Sequence, residues 1–191
     1  MSNQYKRFSS TNKADVWVKE YQSFFPSNSD NDKVFLQALD FYTASGNLIF
    51  NNYLRQYVSI EKNDYLYPYI MQMIKKLPNY EIPDNIIVYR YIKKALLKEM
   101  CKSYPPKRNA IIQDSGFMST TLVRSSILQF KREKKLNILL IISVPKGTKG
   151  TYVGLLHNTL SEHEIILAQN TKLRIDAKLY FPRIYYCTVC N

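Results

Sequence analysis

The stretch "LHNTLSEHEIILAQN", residues 156–170, decides how the rest of the chain is read. Two glutamates, Glu162 and Glu164, open the apolar run Ile165, Ile166 and Leu167. A short run of β-branched and aliphatic residues bounded by polar ones reads as a buried strand. Side chains alternate along a strand. The spacing therefore predicts both carboxylates on one face, roughly 7 Å apart, with His163, Ile165 and Leu167 on the other. Two acids this close repel, which raises the pKa of one of them. Three uses fit such a pair: acid/base chemistry, a cation site, or a negative charge set against a developing cation. Two acids at an exposed strand start, with no chemistry, fit equally well.

Outward from this strand the pattern is uniform towards the C-terminus. "NIIVYRYI" (85–92) is rich in β-branched and aromatic residues, and "LNILLIISVP" (136–145) is a continuous apolar run closed by Pro145, which predicts a buried central strand. "TKLRIDAKLYF" (171–181) alternates, with Leu173, Ile175, Ala177 and Leu179 facing one way and Lys172, Arg174, Asp176 and Lys178 the other. "RIYYCTVC" (183–190) reads as a last strand, and "KKALLKEMCK" (93–102) as one short helix.

Before residue 80 the spacing is helical. "ADVWVKEYQSFF" (14–25) places Trp17, Val18, Tyr21, Phe24 and Phe25 on one stripe. "NDKVFLQALDFYTASG" (31–46) follows, with Asn31 or Asp32 as cap and Gly46 near its end. "NLIFNNYLRQYV" (47–58) presents Leu48, Ile49, Tyr53, Leu54 and Tyr57, and "NDYLYPYIMQMIKKL" (63–77) tolerates Pro68 only in a first turn. Helices first and strands second predict an α+β domain, with a helical lobe over about 1–80 and a β core over about 84–191 of a single domain, 1–191.

Composition narrows the class. A chain of 191 residues with 46% apolar content can bury roughly 70% of its unfolded surface and needs no disulfide staple. Cys187 and Cys190 have Cys-x-x-Cys spacing, but a zinc site needs a second pair and a redox motif should open a helix, so two cysteines on one edge strand is the plainer expectation. His157 and His163 sit in no metal frame, and no metal is expected. No run of 18 apolar residues predicts a membrane span, and the polar start lacks the apolar core of a signal peptide, which leaves export to another route or to a leader already removed. The net charge of +12 implies an anionic partner: nucleic acid, a phosphate-bearing small molecule or an acidic protein. A basic nucleic-acid module with stacking tyrosines is one such reading, although the tyrosines fall mostly at core-like spacings. There is no GxGxxG after a strand and no Walker loop.

Two further motifs join the glutamates. In "GFMSTTL" (116–122), Phe117 packs inward, Ser119 and Thr121 share a face and Thr120 takes the other; such hydroxyls can pin a neighbouring carboxylate. In "VYRY" (88–91), Arg90 sits inside an apolar strand and needs an anion, either a phosphate or a structural carboxylate. An aromatic-Arg strand, then aromatic-x-Ser-Thr-Thr, then Glu-x-Glu resembles the arginine/serine/glutamate class of bacterial mono-ADP-ribosyltransferase toxins. "FNNYLR" (50–55), "QFKR" (129–132) and "VPKGTKGTYVG" (144–154) extend the resemblance over most of the chain. The size is similar to that of the clostridial Rho-modifying exoenzymes and of the catalytic domains of actin-modifying binary toxins.

The resemblance implies a helical lobe packed on a mixed, largely antiparallel two-sheet β core. It implies NAD as co-substrate, with no true cofactor and no metal. Glu164 and Ser119 are then catalytic, with Thr120 and Thr121 in support. Arg90, Asn51, Arg55, Tyr89, Phe130 and Arg132 bind NAD, and Leu156, His157, Asn158, Thr159 and Leu160 form the target-recognition loop. Glu162 faces the acceptor and implies arginine in place of asparagine. The implied partner is a host protein, actin first and a small GTPase second, not nucleic acid. The implied protein is a secreted monomer acting in the host cytosol, with a membrane involved only through a separate translocation component. In the loop, Thr159 stands where many relatives carry an aromatic.

Overall fold

The computed structural model describes residues 4–27, 33–127, 137–155, 163–179 and 183–190. Helices α1 (Thr11–Glu20), α2 (Lys33–Phe41), α3 (Asn47–Leu54) and α4 (Tyr67–Lys76) precede strand β1 (Ile86–Ile92). Helix α5 (Lys94–Met100) follows, then β2 (Ile111–Asp114), β3 (Met118–Thr121), β4 (Ile138–Val144), β5 (Gly150–Tyr152), β6 (Glu164–Leu167), β7 (Thr171–Leu179) and β8 (Ile184–Cys190). The α+β order read from the sequence is the order observed. The strands join as β2-β7-β8-β4-β1-β3-β6-β5. Among the described strands β4 and β8 pair in parallel and the other neighbours antiparallel, so the sheet is mixed. In place of the expected two sheets, the described strands form a single eight-stranded sheet, whose five-strand and three-strand halves are joined where Tyr89 of β1 pairs with Thr121 of β3.

The apolar strands divide the interior. Val88, Leu140, Ile142, Met118, Ile165 and Leu167 form one core with Trp17 and Val18 of α1. A second core places Phe35, Leu39, Tyr42 and Phe50 of the helical lobe with Ile70 and Met73 of α4 against Phe117 and Ile166. Ile165 and Ile166, adjacent on β6, therefore serve opposite cores, as a strand buried on both faces requires. A smaller cluster holds Ile87, Tyr89, Tyr91, Leu139, Ile141 and Ile184.

Several sequence expectations change here. Gly46 does not end a helix: a π-helical turn (Tyr42–Gly46) carries α2 directly into α3 with helical dihedrals at Gly46. Helix α3 buries Phe50 and Asn51 while Leu48, Ile49 and Tyr57 are exposed, because the lobe is docked through Asn51. Phe24 lies in a 3-10 turn past α1 and is exposed. A β-bulge between Ile175 and Ala177 shifts the β7 register, so Leu173 and Ile175 are buried but Ala177 and Leu179 are turned outward. Strand β8 lies between β7 and β4, so Cys187 and Cys190 are on an interior strand and not an edge; both thiols are free. Asn31 and Asp32 lie outside the described residues.

Strand β5 is short and its pairing leaves no room at Gly150, where a Cβ would sit 2.6 Å from the Ile166 carbonyl oxygen and 3.0 Å from the Leu167 Cα. Backbone cannot yield as a side-chain tip can. Gly150→Ala is expected to lower stability by about 1–3 kcal/mol, as overpacking does, read as a lower urea midpoint at unchanged slope.

Candidate active site

The antiparallel β3–β6 register sets Ser119 opposite Ile166 and Thr121 opposite Glu164. Ser119 and Glu164 are thus diagonal neighbours on one face, and the Ser119 hydroxyl donates to Glu164 Oε1. Thr120 points to the other face, where its hydroxyl donates to the Ile165 carbonyl at 2.9 Å and ties the two strands together. Thr121 caps the turn that leaves β3: the Val123 N–H donates to its Oγ1 at 3.2 Å.

The arginines converge on one acid. Asp114, at the end of β2, is buried and its side chain has no solvent exposure. Arg55 grips it twice over, with Nε to Oδ1 at 3.0 Å and Nη2 to both oxygens at 2.9 and 3.0 Å. Arg90 Nη1 donates to Oδ2 at 3.0 Å, and the Gly116 N–H donates to Oδ1 at 3.0 Å. The structural carboxylate that the sequence left as one option for Arg90 is therefore present. Both side chains remain slightly open to solvent, 9% for Arg55 and 11% for Arg90. A guanidinium has five N–H donors, so each retains hydrogens not committed to Asp114. Two cations against one anion leave a local excess of one positive charge, a setting that suits a phosphate.

Asn51, expected among the NAD-binding residues, makes hydrogen bonds within the protein. Its Oδ1 accepts from the Phe117 N–H at 2.8 Å and its Nδ2 donates to the Tyr42 hydroxyl at 3.1 Å. The Tyr42 hydroxyl in turn donates to the Phe117 carbonyl at 3.3 Å. This closed loop of bonds docks the helical lobe on the start of β3, two residues before Ser119. Burial, and next the nearby Glu164 carboxylate, push the Tyr42 phenol well up, while Arg90 opposes them. Tyr42 therefore lies within electrostatic reach of Glu164, Arg90 and Asp114 together, and it stays a neutral hydrogen-bonding group.

Tyr89 is buried among Ile87, Tyr91 and Leu139 on the side of β1 opposite its neighbour Arg90, so it supports the strand by packing. Glu162, Phe130, Arg132 and the loop residues Leu156, His157, Asn158, Thr159 and Leu160 lie outside the described residues. Strand β6 begins at Glu164, and His163 before it has φ +46°. The pleat therefore does not run through His163, and the same-face argument for Glu162 and Glu164 does not extend across it. Sequence reasoning missed Asp114 and Tyr42. The signal for Asp114 was available: an acid closing the alternating "IIQD", with two arginines elsewhere each in need of an anion.

The family is decided by comparison. The family model described as "ADP-ribosyltransferase exoenzyme" matches residues 10–180. The chain belongs to that family. Among curated proteins it is 30% identical over 166 residues to the mono(ADP-ribosyl)transferase SpvB of Salmonella typhimurium, a match covering 74% of this chain and 27% of the relative. The chain thus spans about a quarter of the length of the curated relatives of that name. Among solved structures, the ADP-ribosylating toxin BECa of a binary enterotoxin of C. perfringens, with NADH, has a TM-score of 0.76 at 19% identity, covering 98% of this chain and 50% of that one. The C3 exoenzyme of Clostridium limosum has a TM-score of 0.75 at 17% identity, covering 100% of this chain and 99% of that one. At such identities the likeness establishes the exoenzyme-family fold.

Two outcomes follow from the electrostatics. Asp114→Ala strips two buried guanidiniums of their counter-charge and is expected to cost about 3–5 kcal/mol in urea-denaturation stability, the range for breaking a buried pair by removing one partner. His163 is buried and its pKa is pushed down by that burial; Asp15, 3.5 Å away but 40% exposed, opposes the effect without overcoming it. Tyr152, the other group facing the ring, is pushed up to about 12 and stays neutral. Below the ordinary histidine pKa of about 6.5, the unfolded chain takes up a proton that the folded chain resists. His163 should therefore cost stability as pH falls through that value and contribute nothing above it. The drop in urea stability between pH 7.5 and 5.5 should be larger in the wild type than in His163→Asn.

Proposed function

We propose that the chain transfers ADP-ribose from NAD to an arginine side chain of a host protein, releasing nicotinamide, with NAD hydrolysis as a side reaction. The observation that carries this reading is the Ser119 hydroxyl donating to Glu164 Oε1 across β3 and β6, with Glu164, Arg90 and Asp114 all within electrostatic reach of Tyr42. Cleavage of the nicotinamide–ribose bond leaves positive charge on the sugar. A carboxylate already fixed in place stabilises such charge without reorganising as it develops. Ser119 supplies the fixation, and Glu164 supplies the charge and a hydrogen bond to the ribose. Arg55 and Arg90, held by Asp114, offer their remaining N–H groups to the NAD phosphates, with Phe130 and Arg132 on the nicotinamide side. Asn51 contributes by holding the lobe and β3 together.

Glu162 is assigned to the acceptor. A guanidinium remains charged at ordinary pH, and a carboxylate can orient it and take its proton as it attacks. That supports arginine as the acceptor, and actin ahead of a small GTPase as the host protein. The recognition loop, residues 156–160, carries Thr159 in place of an aromatic and sets which protein is gripped. Secretion, action in the host cytosol and a monomeric state belong to the same reading. A nucleic-acid groove is less well supported, because Tyr42, Tyr89, Tyr91, Tyr152 and Tyr185 are buried and cannot stack on bases.

Labelled NAD, a cell lysate and peptide mapping of the modified band test the proposal. Wild-type chain should label one host protein on arginine. Glu164→Gln should lose both transfer and NAD hydrolysis by at least about 100-fold, the scale for removing a preorganised electrostatic group. Ser119→Ala should lower both less, and Glu162→Ala should lose transfer while retaining hydrolysis. Equal labelling by Glu162→Ala and wild type removes Glu162 from the acceptor role, and a modified asparagine points to the exoenzyme-type alternative.

A further inference from the structure

The histidine between the two glutamates is neither exposed nor idle. His163 is 1% exposed and holds a left-handed backbone, φ +46°, directly before Glu164. A non-glycine residue persists there only when its surroundings impose the conformation. Two backbone bonds bracket the kink: the Leu122 N–H donates to the His163 carbonyl at 3.0 Å and the Val153 N–H to the Glu164 carbonyl at 3.1 Å. The side chain is held as well. Nδ1 lies 3.5 Å from the Tyr152 hydroxyl, and Nε2, which has no hydrogen-bond partner, lies 3.5 Å from Asp15 Oδ1 of α1. Tyr152 is itself closely packed: it is fully buried, packs on Phe25 with ring centroids 5.6 Å apart, and has Gly154 so close to its hydroxyl that a Cβ there would collide with it.

We propose that His163 is a positioning residue for Glu164: its imidazole, lodged between Tyr152 and Asp15, locks the left-handed peptide that starts β6 and so aims the Glu164 carboxylate at Ser119. One neutral tautomer serves both neighbours. With the proton on Nε2, the Tyr152 hydroxyl donates to Nδ1 and the Nε2–H faces the Asp15 carboxylate. Released from this slot, residue 163 relaxes towards an extended conformation. Because side chains alternate along a strand, that rotation at the residue before Glu164 swings its carboxylate off the Ser119 hydroxyl. Arg55 and Arg90 are held by Asp114, independently of His163, so dinucleotide binding is left intact while the reacting end is misaimed. The inference rests on the reading of Glu164 as the charge beside the ribose.

Steady-state NAD hydrolysis by the purified chain tests it. His163→Ala should lower kcat by about 10- to 100-fold, the scale of a small misplacement, with KM for NAD within about two-fold. His163→Asn tolerates the left-handed region and places an amide near Nδ1, so it should recover much of the loss. His163→Gly frees the backbone but keeps no anchor and should remain as slow as the alanine variant. Asp15→Asn, at a half-exposed position that does not threaten folding, should lower kcat in the same direction. Independently of turnover, imidazole nitrogen NMR should find a neutral ring protonated on Nε2 between pH 7 and 8. Wild-type kcat in His163→Ala or His163→Gly, a rise in KM matching the fall in kcat, or a ring protonated on Nδ1 overturns the anchor. Absence of NAD cleavage by the wild type, or full activity of Glu164→Gln, instead sinks the role of Glu164 and the anchor with it.

Discussion

The carboxylate of Asp114 is the constraint on which the rest of the structure depends. It is fully buried, and it accepts from Arg55 just past the end of α3, Arg90 on β1 and the backbone of Gly116 just ahead of β3. A buried charge is tolerated only when paired and hydrogen-bonded. Here the pairing joins the helical lobe, the five-strand half of the sheet and the approach to the three-strand half. Gly116 has no space for a Cβ, which would come within 2.6 Å of Asn51 Oδ1, so the acid, the amide and the glycine backbone form one tightly packed junction.

The junction and the chemistry are coupled through short covalent distances. Gly116 binds Asp114, Phe117 binds Asn51, and Ser119, two residues later, binds Glu164. The short segment from Gly116 to Ser119 therefore touches, at its start, the acid that holds the arginines and, at its end, the carboxylate. In the proposed reaction, positive donors at one end of the site and a rigid negative group at the other match a substrate with anionic phosphates and a sugar that turns positive. Both are held before substrate arrives, which is what electrostatic preorganisation demands.

The legible and illegible parts of this chain separate along physical lines. Order of elements and the central strand at 138–144 follow from local periodicity and residue type, while the joining of Ser119 and Glu164 in one site was implied by the family resemblance. What escaped depends on long-range geometry. Asp114 is 59 residues from Arg55 and 24 from Arg90, and nothing local marks it as their common partner. The buried face of α3 is set by Asn51 reaching Phe117, which outweighs the more apolar stripe of Leu48 and Ile49. The bulge in β7 and the left-handed His163 each break a period-two pattern at a single residue, and alternation alone cannot locate such a break.

The central claim is that Glu164 waits, held by Ser119, beside the sugar carbon that loses nicotinamide. A crystal structure of the wild-type chain with NAD or a slowly cleaved NAD analogue tests it most directly. The account predicts the Glu164 carboxylate within about 3 Å of the nicotinamide ribose, at hydrogen-bond reach, and the pyrophosphate on the free N–H groups of Arg55 and Arg90. A dinucleotide bound with its ribose remote from Glu164, or with its phosphates away from both arginines, contradicts it.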